Sequence, residues 1–244
     1  MSNINERIKK LINDSKEFLQ RNEFKNSPEE NVLVYDGLIG NGDSCEFLFL
    51  LKEANFKSMK RDYESGIEDH RWNLAEVATE EAIEYKGKEP HGWQEICYWI
   101  EAYNHLSAKF VDSKLCGGNL LGNALVNIKK IAGPSSSNPK VFKRILSSDE
   151  YKKLICDEIA EIKPNIVVCC GTYEWAKDLY AVQKNDDVEL KCGYRYFKTN
   201  INDKLTYFLE YMHPSQRGAA KKYALQFAVA KEVFGELKEI IGKS

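Results

Sequence analysis

Hydrophobic and polar positions follow each other along the chain in patterns that favour helices in some segments and buried strands in others. Over residues 4–19 the apolar side chains recur every three or four positions, which predicts an amphipathic helix within an N-terminal helical segment of about residues 1–22. Residues 32–35 are a short strand candidate, and residues 47–51 form a continuous apolar run that ends at Lys52. Bounded runs of this kind are typical of strands buried on both faces of a parallel sheet.

The middle of the chain continues this alternation. A helix is predicted over about residues 91–108, and an apolar strand follows over about residues 120–131. Ser147 and Glu150 then have the spacing of a capping box, which predicts that Ser147 caps the next helix. The apolar stripe of that helix ends at Ile162, just before a proline that breaks it.

The last third of the chain predicts a strand, a helix and then a hairpin. Residues 166–170 form an apolar run typical of a buried strand, and a helix is predicted over residues 173–182. An antiparallel pair is predicted for residues 194–199 and 205–212. A long helix over residues 219–241 closes the chain.

Strands that alternate with helices predict a single α/β domain over residues 1–244, a three-layer α/β/α sandwich with a central, mostly parallel sheet. The hydrophobic pattern of about residues 56–118 is less regular, which predicts an insertion into this domain. In such sheets, functional side chains gather beyond the carboxyl ends of the strands. The loops predicted there are residues 52–55, 127–130, 171–173 and 213–218.

Composition narrows the class of protein. A chain with 43% hydrophobic and 30% charged residues is that of an ordinary folded domain and excludes a disordered one. The 35 basic and 37 acidic side chains give a net charge of −2, which excludes a generally basic nucleic-acid coat but leaves a local basic groove open.

Membrane and metal signals are absent from the sequence. The longest apolar runs are five residues, far below the about 20 that a membrane helix needs, and the N-terminus has no secretory pattern. Seven cysteines without a CxxC pair argue against a disulfide framework or a zinc ribbon. We therefore expect a cytoplasmic monomer that has no membrane partner and needs no metal or cofactor.

The segment that begins at His213 carries the most informative chemistry. A predicted apolar strand delivers His213 to its end and Pro214 fixes the turn, so the imidazole can donate to an anion that develops on a leaving group. Ser215 can bind a phosphate, and Arg217 with Lys221 adds positive charge where a nucleic-acid backbone can lie. The alternative is a plain turn in which His213 has a structural role.

Two further positions have polar side chains at the ends of apolar strands. Glu53 can position or deprotonate a water molecule, and Asn55 can hold one by hydrogen bonding; the alternative is a solvated loop. The carbonyl and the amine of Asn127 match the edge of a pyrimidine, although an asparagine bonded to neighbouring backbone would look the same. The chain contains no GxGxxG, GxxxxGK[ST] or GxSxG motif, which argues against common dinucleotide sites, P-loops and α/β-hydrolases.

Taken in order, four segments resemble the uracil-DNA glycosylase superfamily. These are Phe-Leu-Phe-Leu-Leu-Lys-Glu-Ala-Asn at 47–55, Ala-Leu-Val-Asn-Ile-Lys-Lys at 124–130, Lys-Pro-Asn-Ile-Val-Val-Cys-Cys-Gly at 163–171 and His-Pro-Ser at 213–215. The resemblance implies an α/β/α fold that flips a nucleotide into a pocket and cleaves its N-glycosidic bond without a metal.

The resemblance also implies a role for each matched residue. His213 would stabilise the negative charge on the departing base, and Glu53 or Asn55 would hold the water. Asn127 and Phe56 would contact the base. The predicted DNA contacts are Ser215, Gln216, Arg217 and Lys221. The first motif departs from the family, whose usual Gly-x-x-Pro-Gly is replaced by residues 52–56, so charged Lys52 and bulky Phe56 alter the approach of a base or a water.

The sequence therefore predicts a DNA glycosylase-like enzyme that acts on uracil or a deaminated purine in single-stranded or lesion-containing DNA. The alternative is a catalytically inactive module on the same fold that binds a nucleic acid or a nucleotide. A third, unrelated reading is a hydrolase or transferase of small metabolites. The first hypothesis requires Glu53, Asn127 and His213 to border one hollow that fits a single extruded base.

Overall fold

The computed structural model describes residues 3–25, 32–40, 42, 45–55, 73–84, 94–106, 117–133, 138–183, 185–214 and 223–243. These residues form a seven-stranded sheet with helices on both faces. The strands are β1 (Gly37–Leu38), β2 (Cys45–Asn55), β3 (Ala124–Gly133), β4 (Pro164–Cys170), β5 (Val188–Glu189), β6 (Arg195–Ile201) and β7 (Lys204–Tyr211). The helices are α1 (Ile4–Asp14), α2 (Lys16–Leu19), α3 (Leu74–Glu84), α4 (Gln94–Asn104), α5 (Pro139–Ser147), α6 (Asp149–Ile162), α7 (Tyr173–Leu179) and α8 (Tyr223–Ile241).

The strand order across the sheet is β1-β3-β2-β4-β7-β6-β5. The four central strands, β3, β2, β4 and β7, run parallel to their neighbours, and the outer strands pair antiparallel. Both faces of the centre are buried, which explains the unbroken apolar runs of β2 and β4. A mostly parallel central sheet in an α/β protein is thus confirmed.

Each face of the sheet carries its own hydrophobic layer. Helices α1, α5, α6 and α7 cover one face, and α3, α4 and α8 cover the other. The described part of the predicted insertion supplies α3 and α4. Its residues Ala78, Ile96 and Trp99 are buried in the second layer. These two helices therefore belong to the core of the protein.

The predicted secondary structure is correct for the strongly periodic segments. The helix predicted over residues 4–19 is present as α1 and α2, with a break at Ser15, and Ile4, Ile8 and Ile12 are its buried stripe. The predicted hairpin is present as β6 and β7, which are joined by two residues, Asn202 and Asp203, with positive φ. The strand predicted at residues 32–35 is replaced by isolated bridges, and the strand itself lies at Gly37–Leu38.

The predicted capping box is wrong by one residue. Ser148 is the N-cap of α6, and its Oγ accepts a hydrogen bond from the Tyr151 backbone N–H at 3.3 Å. Ser147 instead ends α5, where its hydroxyl donates to the Arg144 carbonyl at 2.9 Å. The unpredicted α5 moves the cap because it runs up to Ser147, so Glu150 falls too early in the first turn to reach back.

Two segments predicted to be loops are parts of strands. β2 continues through residues 52–55, where Glu53 pairs with Lys129 of β3. Residues 127–130 lie inside β3 for the same reason, because each strand supplies the other with backbone partners. β4 ends at Cys170, level with Leu51, so β2 and β3 extend beyond the end of β4.

Candidate functional site

The strand order reverses at the centre of the sheet, between β2 and β4, because the strands that follow each of them are added on opposite sides. The chain that leaves β2 returns to the sheet as β3 on one side, whereas the chain that leaves β4 returns on the other side as β5, β6 and β7. In open parallel sheets, two neighbouring strands whose connections diverge leave a crevice at their carboxyl ends, and ligands bind there. In this protein the corresponding position lies beyond Leu51 and Cys170, and we call it the crevice.

Lys52 and His213 come together in this crevice at Gly171. Gly171 has a φ of 67°, and a Cβ at this position would lie 3.6 Å from Lys52 Cε and 3.8 Å from His213 Cβ. The positive φ favours glycine at this turn, and the side chains of Lys52 in β2 and of His213 after β7 both lie against it, beyond the end of β4.

Hydrogen bonds tie the three strand ends to one another. The Gly171 N–H donates to the Tyr211 carbonyl at 2.9 Å, which joins β4 to β7 just before His213. The buried Thr172 hydroxyl donates to the Leu50 carbonyl at 2.8 Å, which joins the same turn to β2. A rigid backbone of this kind can hold a hydrogen-bond donor in place before a charge develops, which is what electrostatic catalysis requires.

His213 lies in an environment that favours its neutral form. Burial lowers the pKa of the imidazole below its usual range, and the positive charge of Lys52 lowers that pKa further. At neutral pH the imidazole is therefore uncharged, with one ring N–H to donate and one nitrogen to accept. It can hydrogen-bond to a developing anion without giving up a proton.

Lys52 is held beside the half-buried indole of Trp175. The Lys52 Nζ atom lies 5.2 Å from the centroid of the ring, a cation–π distance. The same indole stacks on Phe142, with centroids 4.3 Å apart and planes inclined by 2°. Lys52, which departs from the family pattern, thus has a defined place next to His213.

Asn127 is held by a residue that the sequence reasoning missed, Asp36. The Asn127 backbone N–H and its side-chain Nδ2 each donate to a different Asp36 oxygen, at 2.8 Å in both cases. Asp36 precedes β1, on the side of β3 that faces away from β2. Asn127 also lies three strands from β7. The structure brings Lys52 and His213 together but pairs Asn127 with Asp36, and the predicted base contact of Asn127 stays a prediction.

The other predicted site residues are placed only in part. Glu53 and Asn55 belong to the part of β2 that extends past the end of β4, next to the crevice. Five predicted residues lie outside the part of the chain that the structure describes: Phe56, Ser215, Gln216, Arg217 and Lys221.

Asp36 also belongs to a buried network of charges. The Lys130 Nζ atom lies 2.5 Å from Asp36 Oδ2 and forms a second ion pair with Glu158, and all three side chains are fully buried. Neither Glu158 oxygen has a hydrogen bond of standard geometry among the described residues, so Lys130 stabilises this carboxylate mainly through its charge. Two buried carboxylates therefore share one ammonium group.

The shared ammonium shifts the titration of the network. Burial would lower the pKa of Lys130, but the two carboxylates outweigh burial and raise it. Burial raises the pKa of Glu158 to about 7, and the charge of Asp36 adds to this rise. The folded protein therefore holds the Glu158 proton at a pH where an unfolded glutamic acid has lost it.

This shift predicts a pH-dependent stability that Glu158→Gln removes. The ordinary pKa of the group is 4.5 and rises on folding to about 7, so its contribution to stability is lost as the pH rises between these values. In the wild type we expect this group to lower the free energy of unfolding by up to about 1.4 kcal/mol for each unit by which the pH rises. Urea unfolding between pH 5 and pH 8 should show that the free energy of unfolding of Glu158→Gln, relative to that of the wild type, increases with pH.

Glu161→Gln is the matched control. Glu161 lies on α6, as Glu158 does, but its ion pair with Arg7 of α1, at 2.7 Å, is half-exposed. This variant should keep the slope of the wild type. Equal slopes for the wild type and Glu158→Gln would contradict a raised pKa at Glu158.

The described residues contain neither a metal-ligand cluster nor a membrane-spanning helix. Among the described residues, no group of three or more His, Cys, Asp or Glu side chains is arranged to hold a metal ion. Cys169 and Cys170 are buried in β4, where burial raises the pKa of both thiols. Within the same described ranges, no helix has the length and apolar character to cross a membrane.

No model of a known protein family matches the chain. The curated proteins contain no significant match to it either. The structure thus supports an α/β protein whose central sheet carries a crevice with Lys52 and His213.

Proposed function

We propose that the protein is a DNA glycosylase-like enzyme that cleaves the N-glycosidic bond of a deaminated base at this crevice. The observation that carries the proposal is the position of His213, which lies beside Lys52 over the Gly171 turn, in surroundings that lower the pKa of its imidazole. The substrate class is that of the resemblance: uracil or a deaminated purine in DNA.

The positions of the four motifs support the proposal. Residues 47–55 lie in β2, residues 124–130 in β3 and residues 164–170 in β4, and His213 follows β7. These are the four central parallel strands of the sheet, and parallel strands place their carboxyl ends at one edge. The motifs therefore share that edge although they are far apart in sequence.

The chemistry follows from the charges that develop when the bond breaks. The bonding electrons leave with the base, which becomes an anion, and C1′ of the sugar becomes positive. The His213 N–H can donate to a base oxygen, and the ammonium of Lys52 favours the same negative charge. A water held by Glu53 or Asn55 then adds to C1′ and loses a proton, which leaves an abasic sugar and the free base.

An oligonucleotide with one uracil or one hypoxanthine tests the activity. We expect an alkali-labile abasic site, and His213→Ala should reduce its rate of formation about 100-fold or more because a preorganised donor is lost. His105→Ala is the control: this exposed histidine lies 3.8 Å from Glu101 on helix α4 and should be replaceable without loss. Equal rates for His213→Ala and His105→Ala would contradict the role of His213.

A second candidate function is a binding module without catalysis on the same fold. The observation that favours it is the pairing of Asn127 with Asp36, which uses the carboxamide that would read the base. Binding of the uracil oligonucleotide without any abasic product would favour this module over the enzyme.

A further inference from the structure

A groove runs between helices α5 and α7, on the same side of the sheet as Trp175. It has a volume of about 400 Å³, and its walls include Lys143, Ser147, Lys152 and Trp175. Lys143 is exposed and Lys152 is half-buried, so both ammonium groups are accessible at the groove. The groove is open to solvent and large enough to hold about one nucleotide unit.

The two lysines of this groove have no acidic partner among the described residues. Lys153, which follows Lys152 on helix α6, is neutralised by Asp157 one turn later, whereas Lys143 and Lys152 form no ion pair in the described ranges. Asp178 is the single acidic residue of the groove wall. The groove therefore has a net positive charge.

Helix α7 separates this groove from an acidic one. On the other side of the helix, four acidic side chains line a groove that contains two basic ones, Lys177 and Arg195; the acidic ones are Glu174, Asp178, Asp187 and Glu189. Arg195 is largely neutralised there, with Glu174 and Glu210 each at 2.8 Å. A net charge of −2 is thus compatible with a basic groove and an acidic groove on opposite sides of one helix. The overall composition does not exclude such a local basic groove.

Trp175 links the basic groove to the crevice. Its indole lines the groove and also contacts the Lys52 ammonium, which borders Gly171 together with His213. Trp175 thus connects the groove, which carries Lys143 and Lys152, with Lys52, which lies next to His213. Basic grooves with aromatic side chains are the usual means by which proteins hold a single nucleic-acid strand without reading its sequence.

We propose that this groove binds the sugar–phosphate backbone of a single DNA strand, with Lys143 and Lys152 each neutralising one phosphate. The inference rests on the proposed function, because the strand bound in the groove would lead to a base held at His213. The occupant is single-stranded because a groove of about 400 Å³ holds about one nucleotide unit and is lined by an indole rather than by a long basic face.

A thymidine-only oligonucleotide tests the groove separately from the reaction, because it contains no base that the proposed enzyme would remove. Binding is followed by fluorescence anisotropy from about 50 to 200 mM salt. For the double variant Lys143→Met with Lys152→Met, the slope of log K against log salt should fall by about 1.4, since each single-strand phosphate contact contributes about 0.7. At 0.1 M salt this corresponds to binding weakened about 25-fold.

The matched control is the double variant Lys10→Met with Lys198→Met, which removes the same charge from two exposed lysines elsewhere on the surface. It should leave the slope unchanged, and thermal unfolding should show both double variants folded. Identical slopes for the two double variants would overturn the proposal, as would tighter binding of a duplex than of the single strand. A loss of slope in the groove variant supports the groove even if no abasic product is ever formed, so the two proposals fail separately.

Discussion

Replacing Lys130 by methionine is expected to destabilise the protein by about 3–5 kcal/mol at neutral pH, because it leaves two carboxylates buried without a cation. Methionine has a similar length and fills the same space, so the loss reports charge rather than a cavity. The remaining carboxylates can avoid part of the cost by taking up protons. We therefore expect the destabilisation to be smaller at pH 5 than at pH 8, as measured by urea unfolding.

Lys10→Met provides the comparison for a charge that is exposed. Lys10 pairs with Asp14 one turn along α1, and both side chains are mostly in water. Such pairs contribute about 0.3–0.5 kcal/mol, so the control should lose little stability. A loss at Lys130 as small as the loss at Lys10 would show that the buried network does not hold β3 to helix α6.

This network also shows what the sequence could not predict. Lys130 follows an apolar run and was predicted to lie in a loop at the end of a strand. Its partner Asp36 is 94 residues away along the chain, and no local pattern marks such a pair. Asp36 binds both Lys130 and the Asn127 amide, so the surroundings of Asn127 also depend on this distant contact.

The elements that were predicted correctly are those in which local periodicity determines burial. The apolar runs of β2 and β4 are unbroken because helices cover both faces of these strands. The polar end of β2 was predicted to be a loop because strand pairing with β3, which extends it to Asn55, has no signature in the pattern. Periodicity therefore predicted which segments form strands, but not where the paired strands end.

The candidate site was predicted in the same partial way. His213 was recognised because a short motif follows a clear strand. Lys52 was treated only as a departure from the family pattern, since its contacts with Trp175 and with the Gly171 turn arise from three different segments. Lys52 places a positive charge beside the imidazole of His213, and no local sequence pattern marks this contact.

Trp99→Ala is expected to destabilise the protein by about 3–5 kcal/mol, because a large buried aromatic side chain leaves a cavity that the surrounding structure cannot fill. Trp99 is 1% exposed, and its ring meets the edge of Tyr211 at 4.8 Å, two residues before His213. Trp99→Phe should lose less, since the indole N–H has no hydrogen-bond partner among the described residues.

The prediction decides whether the segment of residues 56–118 is an appendage or a layer of the fold. Ile83→Ala is the control, because Ile83 lies in the same segment but is 54% exposed, and it should change the urea midpoint little. If Trp99→Ala also leaves the midpoint unchanged, α4 contributes no packing energy to the sheet. A large loss instead means that α4 packs as part of the layer that contacts Tyr211, two residues before His213.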